Sequence, residues 1–164
     1  MTPGANGRRC SRTRILLLIL LLLAGPAWAN EIGWAPYESA ALGIEAGVPP
    51  GFAAMHADQF VRHDRGQVLN FLAAPVGGAG FEGAVAERVS AAQAEGWNLA
   101  AQTITPTWAE FSGVIGQRMM VTRLVALCGG DRLGGFTMVY SAAHGAAMRA
   151  TLERLGQRLR ARGC

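Results

Sequence analysis

The sequence predicts an α+β domain, in which one twisted antiparallel sheet is packed by two main helices. Two segments, 81–95 and 142–162, carry apolar residues at helical spacing. The segments before and between them alternate in polarity or run apolar over strand lengths. Short turns rich in glycine and proline join these segments, and such turns favour antiparallel neighbours.

The first half of the domain is expected to form short strands. Residues 30–41 are mixed in character and are expected to be irregular. Residues 42–48 are predicted to be a strand, because Pro49-Pro50-Gly51 ends the segment with a strong turn signal. Residues 52–62 are ambiguous between classes and compatible with extended chain, whereas the apolar run 68–74 predicts a buried strand.

The second half is expected to form a helix, four antiparallel strands and a final helix. The predicted segments are helix 81–95, strands 97–105, 108–115, 118–128 and 132–141, and helix 142–162. Segment 118–128 is apolar on both faces, which predicts a place inside the sheet with both faces covered. Ser141 is a plausible N-cap of the last helix, whose apolar stripe consists of Met148, Leu152, Leu155 and Leu159.

This order of elements resembles the Mog1/PsbP-like fold. The resemblance lies in the short strands around Pro49-Pro50-Gly51, the mid-chain helix, the four-stranded meander and the terminal amphipathic helix. It covers most of the chain after residue 29, and it includes no motif that would carry functional residues over. That fold recurs in small exported bacterial proteins that are typically accessory or assembly factors. The resemblance therefore implies an accessory role rather than an enzyme.

Residues 1–29 have the features of a secretory signal peptide. Four arginines precede an unbroken apolar run from Ile15 to Ala24, and Ala27-Trp28-Ala29 is a small-x-small cleavage signal. We expect cleavage between Ala29 and Asn30.

Cleavage would leave residues 30–164 as a single α+β domain in the periplasm or the medium, without a stable membrane span. A retained anchor is the alternative. The apolar stretch 15–29 would reach only about 22 Å as a helix, whereas a bilayer core is roughly 30 Å thick.

The net charge of +4 belongs to the leader. The chain has 15 basic and 11 acidic residues, and four of the basic ones lie in the leader, which has no acid. The remaining charges balance, and this argues against a nucleic-acid partner. They are also segregated: residues 30–117 carry nine acids and three arginines, and residues 118–164 carry eight arginines and two acids.

Five of these arginines lie in the last segment, at positions 149, 154, 158, 160 and 162. They form either a solvated helix face or a docking strip for an acidic partner or an anionic surface.

Two cysteines, Cys128 and Cys164, remain after the leader with Cys10 is removed. In an oxidising compartment such a pair is expected to form a disulfide, here between the end of a strand and the last residue. The alternative is an intermolecular bridge through Cys164.

The densest polar cluster is His56-Ala57-Asp58 followed by His63-Asp64. Imidazole and carboxylate groups are suitable ligands for Zn, Cu or Mn, so His56, Asp58, His63 and Asp64 are candidate metal ligands. The alternative is a surface strand and turn with solvated side chains. No cofactor is predicted.

No catalytic residue is identified. Ser141 and His144 lie three positions apart, but no carboxylate is placed to orient the imidazole and no nucleophile elbow surrounds the serine. Trp34 and Tyr37 form either an aromatic docking patch or a lid on the sheet.

The sequence thus favours a small exported accessory or binding protein, with an envelope protein as the expected kind of partner. A metal-binding protein and a protein that contacts the envelope surface are the alternatives.

Overall fold

A seven-stranded antiparallel sheet forms the centre of the unit that residues 33–164 build. A computed structural model describes residue 1 and residues 33–164, so residues 2–29 of the predicted leader and the cleavage site at Ala29 and Asn30 lie outside the described residues. Residues 33–164 form one compact unit. Within them, no helix combines the length and the apolar character that a membrane span needs.

Ten strands and two α-helices build this unit. The strands are β1 Ala35–Ser39, β2 Ile44–Val48, β3 Ala53–His56, β4 Gln59–Arg62, β5 Gln67–Pro75, β6 Asn98–Ile104, β7 Trp108–Ile115, β8 Arg118–Leu127, β9 Arg132–Ser141 and β10 Arg160–Ala161. The helices are α1 Gly80–Ala94 and α2 Gly145–Arg158. Short 3-10 turns occupy His63–Arg65, Cys128–Gly130 and Ala142–His144.

The strands form two sheets. The main sheet has the order β3-β4-β5-β9-β8-β7-β6, in which every neighbouring pair is antiparallel. A smaller sheet has the order β1-β2-β10 and joins strands from the two ends of the described chain. Strand β9 is the middle strand of the main sheet, with three strands on each side.

Each face of the main sheet has its own apolar core. Side chains alternate along β9, so Leu133 and Val139 face one side while Phe136 and Met138 face the other. The first side packs against α1, for example against Val85. The second side packs against α2 and the small sheet, whose buried apolar residues include Leu155, Leu159 and Ile44.

The α+β class is confirmed, and so is the place of the strand predicted at 118–128. Strand β8 (Arg118–Leu127) lies between β9 and β7 and contributes buried residues to both cores. The structure adds the second sheet. Its first strand, β1, falls in segment 30–41, so the prediction that this segment is irregular is wrong for Ala35–Ser39. The five residues of β1 are too few and too polar to show a pattern, and pairing with β2 holds them extended.

The last helix is shorter than the predicted segment 142–162. It begins after a 3-10 turn, and the side chain of Ser141 makes no capping hydrogen bond. The helix ends at Arg158 because Leu159 adopts an extended conformation that buries its side chain in the core. Residues Arg160–Ala161 then pair with β2, so tertiary pairing overrides the helical pattern.

The disulfide joins the chain end to the main sheet. Cys128, at the end of β8, is bonded to Cys164, and their Cα atoms are 5.2 Å apart. The bridge links residues 36 positions apart in sequence. Because closing a loop of this length removes conformational entropy from the unfolded chain, the bridge stabilises the folded state by about 4 kcal/mol. The bridge therefore holds β10 and the end of α2 against the second core.

A glycine pair lies in the middle strand, where side chains are hardest to accommodate. A Cβ atom on Gly134 would lie 2.5 Å from Cδ1 of Leu127 and 3.1 Å from Cγ2 of Ile44. A Cβ atom on Gly135 would overlap the backbone carbonyl oxygen of Arg123, and it would lie 2.7 Å from Cδ2 of Leu124. A side chain can rotate away from an added Cβ atom, whereas backbone atoms cannot. Glycine is therefore required more strictly at position 135 than at position 134.

We expect Gly135→Ala to lower the free energy of unfolding by about 2 to 3 kcal/mol, because the added methyl group forces β9 away from β8. Urea denaturation of the purified protein measures this loss. The control is Gly145→Ala at the start of α2, where the new Cβ would meet no atom within 4 Å. This control should be neutral or slightly stabilising. Equal losses in both variants would contradict the packing argument.

Candidate functional site

The candidate metal ligands His56 and Asp58 lie at the turn between β3 and β4. His56 is the last residue of β3 and is exposed, and Asp58 follows in the turn. The Tyr37 hydroxyl donates a hydrogen bond to Oδ1 of Asp58. One carboxylate oxygen of Asp58 is therefore already occupied by a group from β1.

His63 and Asp64 lie at the other end of β4, in the 3-10 turn before β5. The Arg62 guanidinium donates to Asp64 with Nε 3.0 Å from Oδ1, and Nε of Arg65 lies 3.8 Å from Oδ2. The hydrogen bond from Arg62 lowers the pKa of Asp64. Among the described residues, no three His, Cys, Asp or Glu side chains are grouped so that they could hold a metal ion. The metal site stays a sequence prediction.

Tyr37 connects the small sheet to the main one. Its ring stacks on Phe71 of β5 with a centroid distance of 4.3 Å, and it meets the edge of Phe60 at 5.4 Å. Only 7% of Tyr37 is exposed. Of the two expectations for this segment, the lid on the sheet is therefore the one that describes Tyr37.

Trp34 is the centre of a different arrangement, on the outside of the second core. Its half-buried ring has two guanidinium groups over it: Cζ of Arg154 lies 5.1 Å and Cζ of Arg158 5.3 Å from the ring centroid. Gly47 makes this approach possible. A Cβ atom there would lie 3.0 Å from Cε3 of Trp34 and 2.8 Å from Cδ of Arg158.

Three further arginines lie close to this cluster in sequence. Arg162, just after β10, forms an ion pair with Glu38 of β1 at 2.6 Å. The guanidinium of Arg160 donates to the carbonyl oxygen of Leu159, and Arg149 is exposed on α2. We call this set the arginine–tryptophan surface. Its members are Trp34, Arg149, Arg154, Arg158, Arg160 and Arg162.

The surface carries a clear excess of positive charge. Residues 145–164 contain five arginines and one glutamate, Glu153. Helix α1, on the opposite face of the main sheet, contains two glutamates and one arginine, and Glu95 follows directly after it. The imbalance of charge along the sequence therefore becomes an imbalance between the two faces of the fold.

The two guanidinium groups on Trp34 are restrained before any partner binds. Cation–π contacts hold both long side chains over the ring, and Arg158 also packs against Gly47. Arginine side chains held in this way lose less conformational entropy when they pair with carboxylates. The arrangement thus favours recognition of acidic groups, and it includes no nucleophile or general base. Sequence reasoning identified the arginines but did not place Trp34 among them, because only the β1–β2 pairing brings Gly47 beneath the ring.

The chain matches no protein-family model and no curated protein sequence. Its fold does match solved structures. The solution structure of cyanobacterial PsbP from Synechocystis sp. PCC 6803 is 12% identical with a TM-score of 0.55, over 79% of this chain and 92% of that one. The Ran-binding protein Mog1p of Saccharomyces cerevisiae is 12% identical with a TM-score of 0.58, over 78% and 95%. A mutant of protein Mog1 matches at 12% identity, TM-score 0.51, over 79% and 96%.

These matches confirm the Mog1/PsbP-like fold. At 12% identity they show the fold alone.

The two tyrosines of the chain provide a pH-dependent test of the packing around the small sheet and the main sheet. Burial raises the pKa of Tyr37 above its ordinary value of 10.0, and the hydrogen bond to Asp58 raises it further. Burial also raises the pKa of Tyr140, with a smaller contribution from Glu110. In the unfolded chain both phenols ionise near pH 10.

Because the folded protein holds these protons more tightly, their contribution to stability is fully present below pH 10 and is lost as pH rises above it. We expect less phenolate absorbance from the folded protein at pH 10 than from the unfolded chain, and a free energy of unfolding that falls above that pH. Tyr37→Phe should make this fall smaller. A folded-state titration with its midpoint near pH 10 would show that the Tyr37 environment is wrong.

Proposed function

We propose that this chain is an exported, non-catalytic accessory protein that binds an acidic protein partner through the arginine–tryptophan surface. The observation that carries the proposal is the pair of guanidinium groups over Trp34, at 5.1 and 5.3 Å from its ring centroid. A partner that presents Asp or Glu side chains would meet cations that are already in position. Its apolar side chains could cover the exposed part of the indole ring.

Charge segregation supports one docking face. An acidic surface is attracted to the α2 side and repelled by the glutamates of the α1 side, which restricts the orientation of approach. The partner class is a protein rather than a nucleic acid, because the charges after the leader balance. Within residues 33–164, Glu38 is already paired with Arg162, and Glu45 is the register partner of Arg160.

Two features support export. Residues 1–29 have the charge, apolar run and small-residue triplet of a cleaved signal peptide, with Ala29 and Asn30 at the junction. The Cys128–Cys164 pairing suits an oxidising compartment such as the periplasm or the medium. The fold is compatible with a binding role, since one protein that shares it is a Ran-binding protein.

The export proposal is tested by mass spectrometry of the protein recovered from the exported fraction without reductant. We expect a chain that begins at Asn30 and is lighter by the two thiol hydrogens lost on disulfide formation. Reduction should restore that mass. A chain that still begins at Met1, recovered with the membranes, would contradict cleavage and favour the retained anchor.

Partner binding is tested by charge reversal. We expect Arg149→Glu combined with Arg154→Glu to reduce cross-linking to the partner in the exported fraction by about tenfold or more, since both substitutions place repulsive charge on the surface. Raising the salt concentration should weaken the wild-type complex as well. The matched control is Arg88→Glu on α1, which changes charge on the opposite face and should leave the complex intact.

The envelope-surface alternative predicts a different result. If wild-type protein binds vesicles of anionic phospholipid in a salt-sensitive manner, and Arg149→Glu with Arg154→Glu abolishes this while no protein is cross-linked, the partner is the lipid surface. That result would overturn the protein-partner proposal.

A further inference from the structure

A row of polar side chains crosses the α1 face of the main sheet. Asn70 of β5, Thr137 of β9 and Thr122 of β8 are direct register partners in three neighbouring strands. The neighbouring rows on this face are apolar: Leu72, Gly135 and Leu124 on one side, and Val68, Val139 and Met120 on the other. Thr122 is only 3% exposed. Polar side chains at such positions in an apolar core need hydrogen-bond partners.

A cavity of about 250 Å³ lies above this row, between the sheet and the C-terminal half of α1. The small side chains of Ala91 and Ala92 leave this space open on the helix side. Arg88 and Glu95 line it from α1 and its C-cap, and the apolar lining comes from Leu72, Phe111 and Met120. The cavity thus combines a polar floor, apolar walls and two opposite charges.

The floor of the cavity supplies hydrogen-bond donors. The hydroxyl oxygens of Thr122 and Thr137 are 2.9 Å apart, so one hydroxyl donates to the other and one hydroxyl proton is left. Gln59 donates from Nε2 to Oδ1 of Asn70 at 2.7 Å. The Asn70 carbonyl is thereby used, and the two N–H donors of its amide are left for another acceptor.

Arg88 adds a cation to these donors. In the described part of the chain its guanidinium takes part in no ion pair and no side-chain hydrogen bond. A guanidinium beside amide and hydroxyl donors is suited to a carboxylate, which accepts several hydrogen bonds at once. Glu95 lines the same cavity and repels further negative charge, which favours a ligand with one carboxylate over a polyanion.

We propose that this cavity binds a small monocarboxylic acid with an apolar body. The carboxylate accepts hydrogen bonds from Arg88 and the Asn70–Thr137–Thr122 row, and the apolar body packs on Leu72, Phe111 and Met120. The site lies on the opposite face of the main sheet from the arginine–tryptophan surface. It is therefore independent of the proposed protein partner.

The test is an NMR titration of the isotope-labelled protein with acetate, hexanoate, benzoate and phenylacetate, with benzamide as the uncharged comparison. At least one of the four acids should bind saturably with a Kd on the order of 1 mM or tighter, and it should shift the amide signals of α1 residues 88–94 and of strand residues 120–124. Benzamide should bind more weakly than benzoate. Arg88→Gln should weaken the best acid by about tenfold or more, as expected for loss of a charge-assisted hydrogen bond.

Arg118→Gln is the matched control, because it removes an exposed arginine that does not line the cavity and should leave the Kd unchanged. Asn70→Leu removes the two amide donors of the row at similar side-chain volume and should also weaken binding. If that variant fails to fold, Arg88→Gln still decides, because Arg88 is exposed. The proposal is overturned if none of the four acids saturates, if Arg88→Gln binds like the wild type, or if the shifts lie at the arginines of α2.

Discussion

Strand β9 carries apolar side chains on both of its faces, so each face of the main sheet needs its own cover. Helix α1 covers one face, and the chain supplies it from a single segment between β5 and β6. The other face is covered by two pieces that are far apart in sequence: strands β1 and β2 at the start of the described unit, and α2 with β10 at its end. These pieces must be joined to act as one layer.

Two connections join them, and the candidate site is their consequence. Strand β10 pairs with β2 through Arg160↔Glu45 and Ala161↔Ile44, and the disulfide fixes the residue at the end of the chain to the end of β8. With both ends held, α2 lies beside β2, and Arg154 and Arg158 reach the ring of Trp34. The same closure that completes the second core thus assembles the arginine–tryptophan surface.

Much of this fold could be predicted because the main sheet is built from local patterns. The meander from β6 to β9 is joined by short turns, and each strand shows its own apolar periodicity, so its order and pairing followed from the sequence. The small sheet could not be predicted in the same way. β1 has five residues and β10 only two, and neither has a pattern of its own. Pairing with β2 holds both of them extended: β1 precedes β2 directly, whereas the β10 pairing joins residues more than 100 positions apart, as in Ile44 and Ala161.

The candidate sites were also predictable to different degrees, because some of their features are local in sequence and others depend on strand pairing. The excess of arginine after residue 145 is visible in the composition, whereas the contact of two of these arginines with Trp34 requires Gly47 beneath the ring. His56 and His63 are seven residues apart in sequence, and the structure places the length of β4 between them, a separation that the sequence does not show. The polar row was hidden because Asn70, Thr122 and Thr137 are unremarkable within their own strands. They form a row only once the register between β5, β9 and β8 is known.

The polar row and the arginine–tryptophan surface differ in what they cost the fold. The arginines are at the surface, where solvated charge costs little and stacking on Trp34 is favourable. The row lies under a helix, where a polar group without a partner is costly. Hydrogen bonds between the two threonines and between Gln59 and Asn70 satisfy part of it. Aliphatic residues at these positions would pack against α1 and fill the space that Ala91 and Ala92 leave. The chain instead has hydrogen-bond donors and a cavity there. A bound carboxylate would accept hydrogen bonds from these donors and from Arg88, and the rest of the acid would fill the cavity.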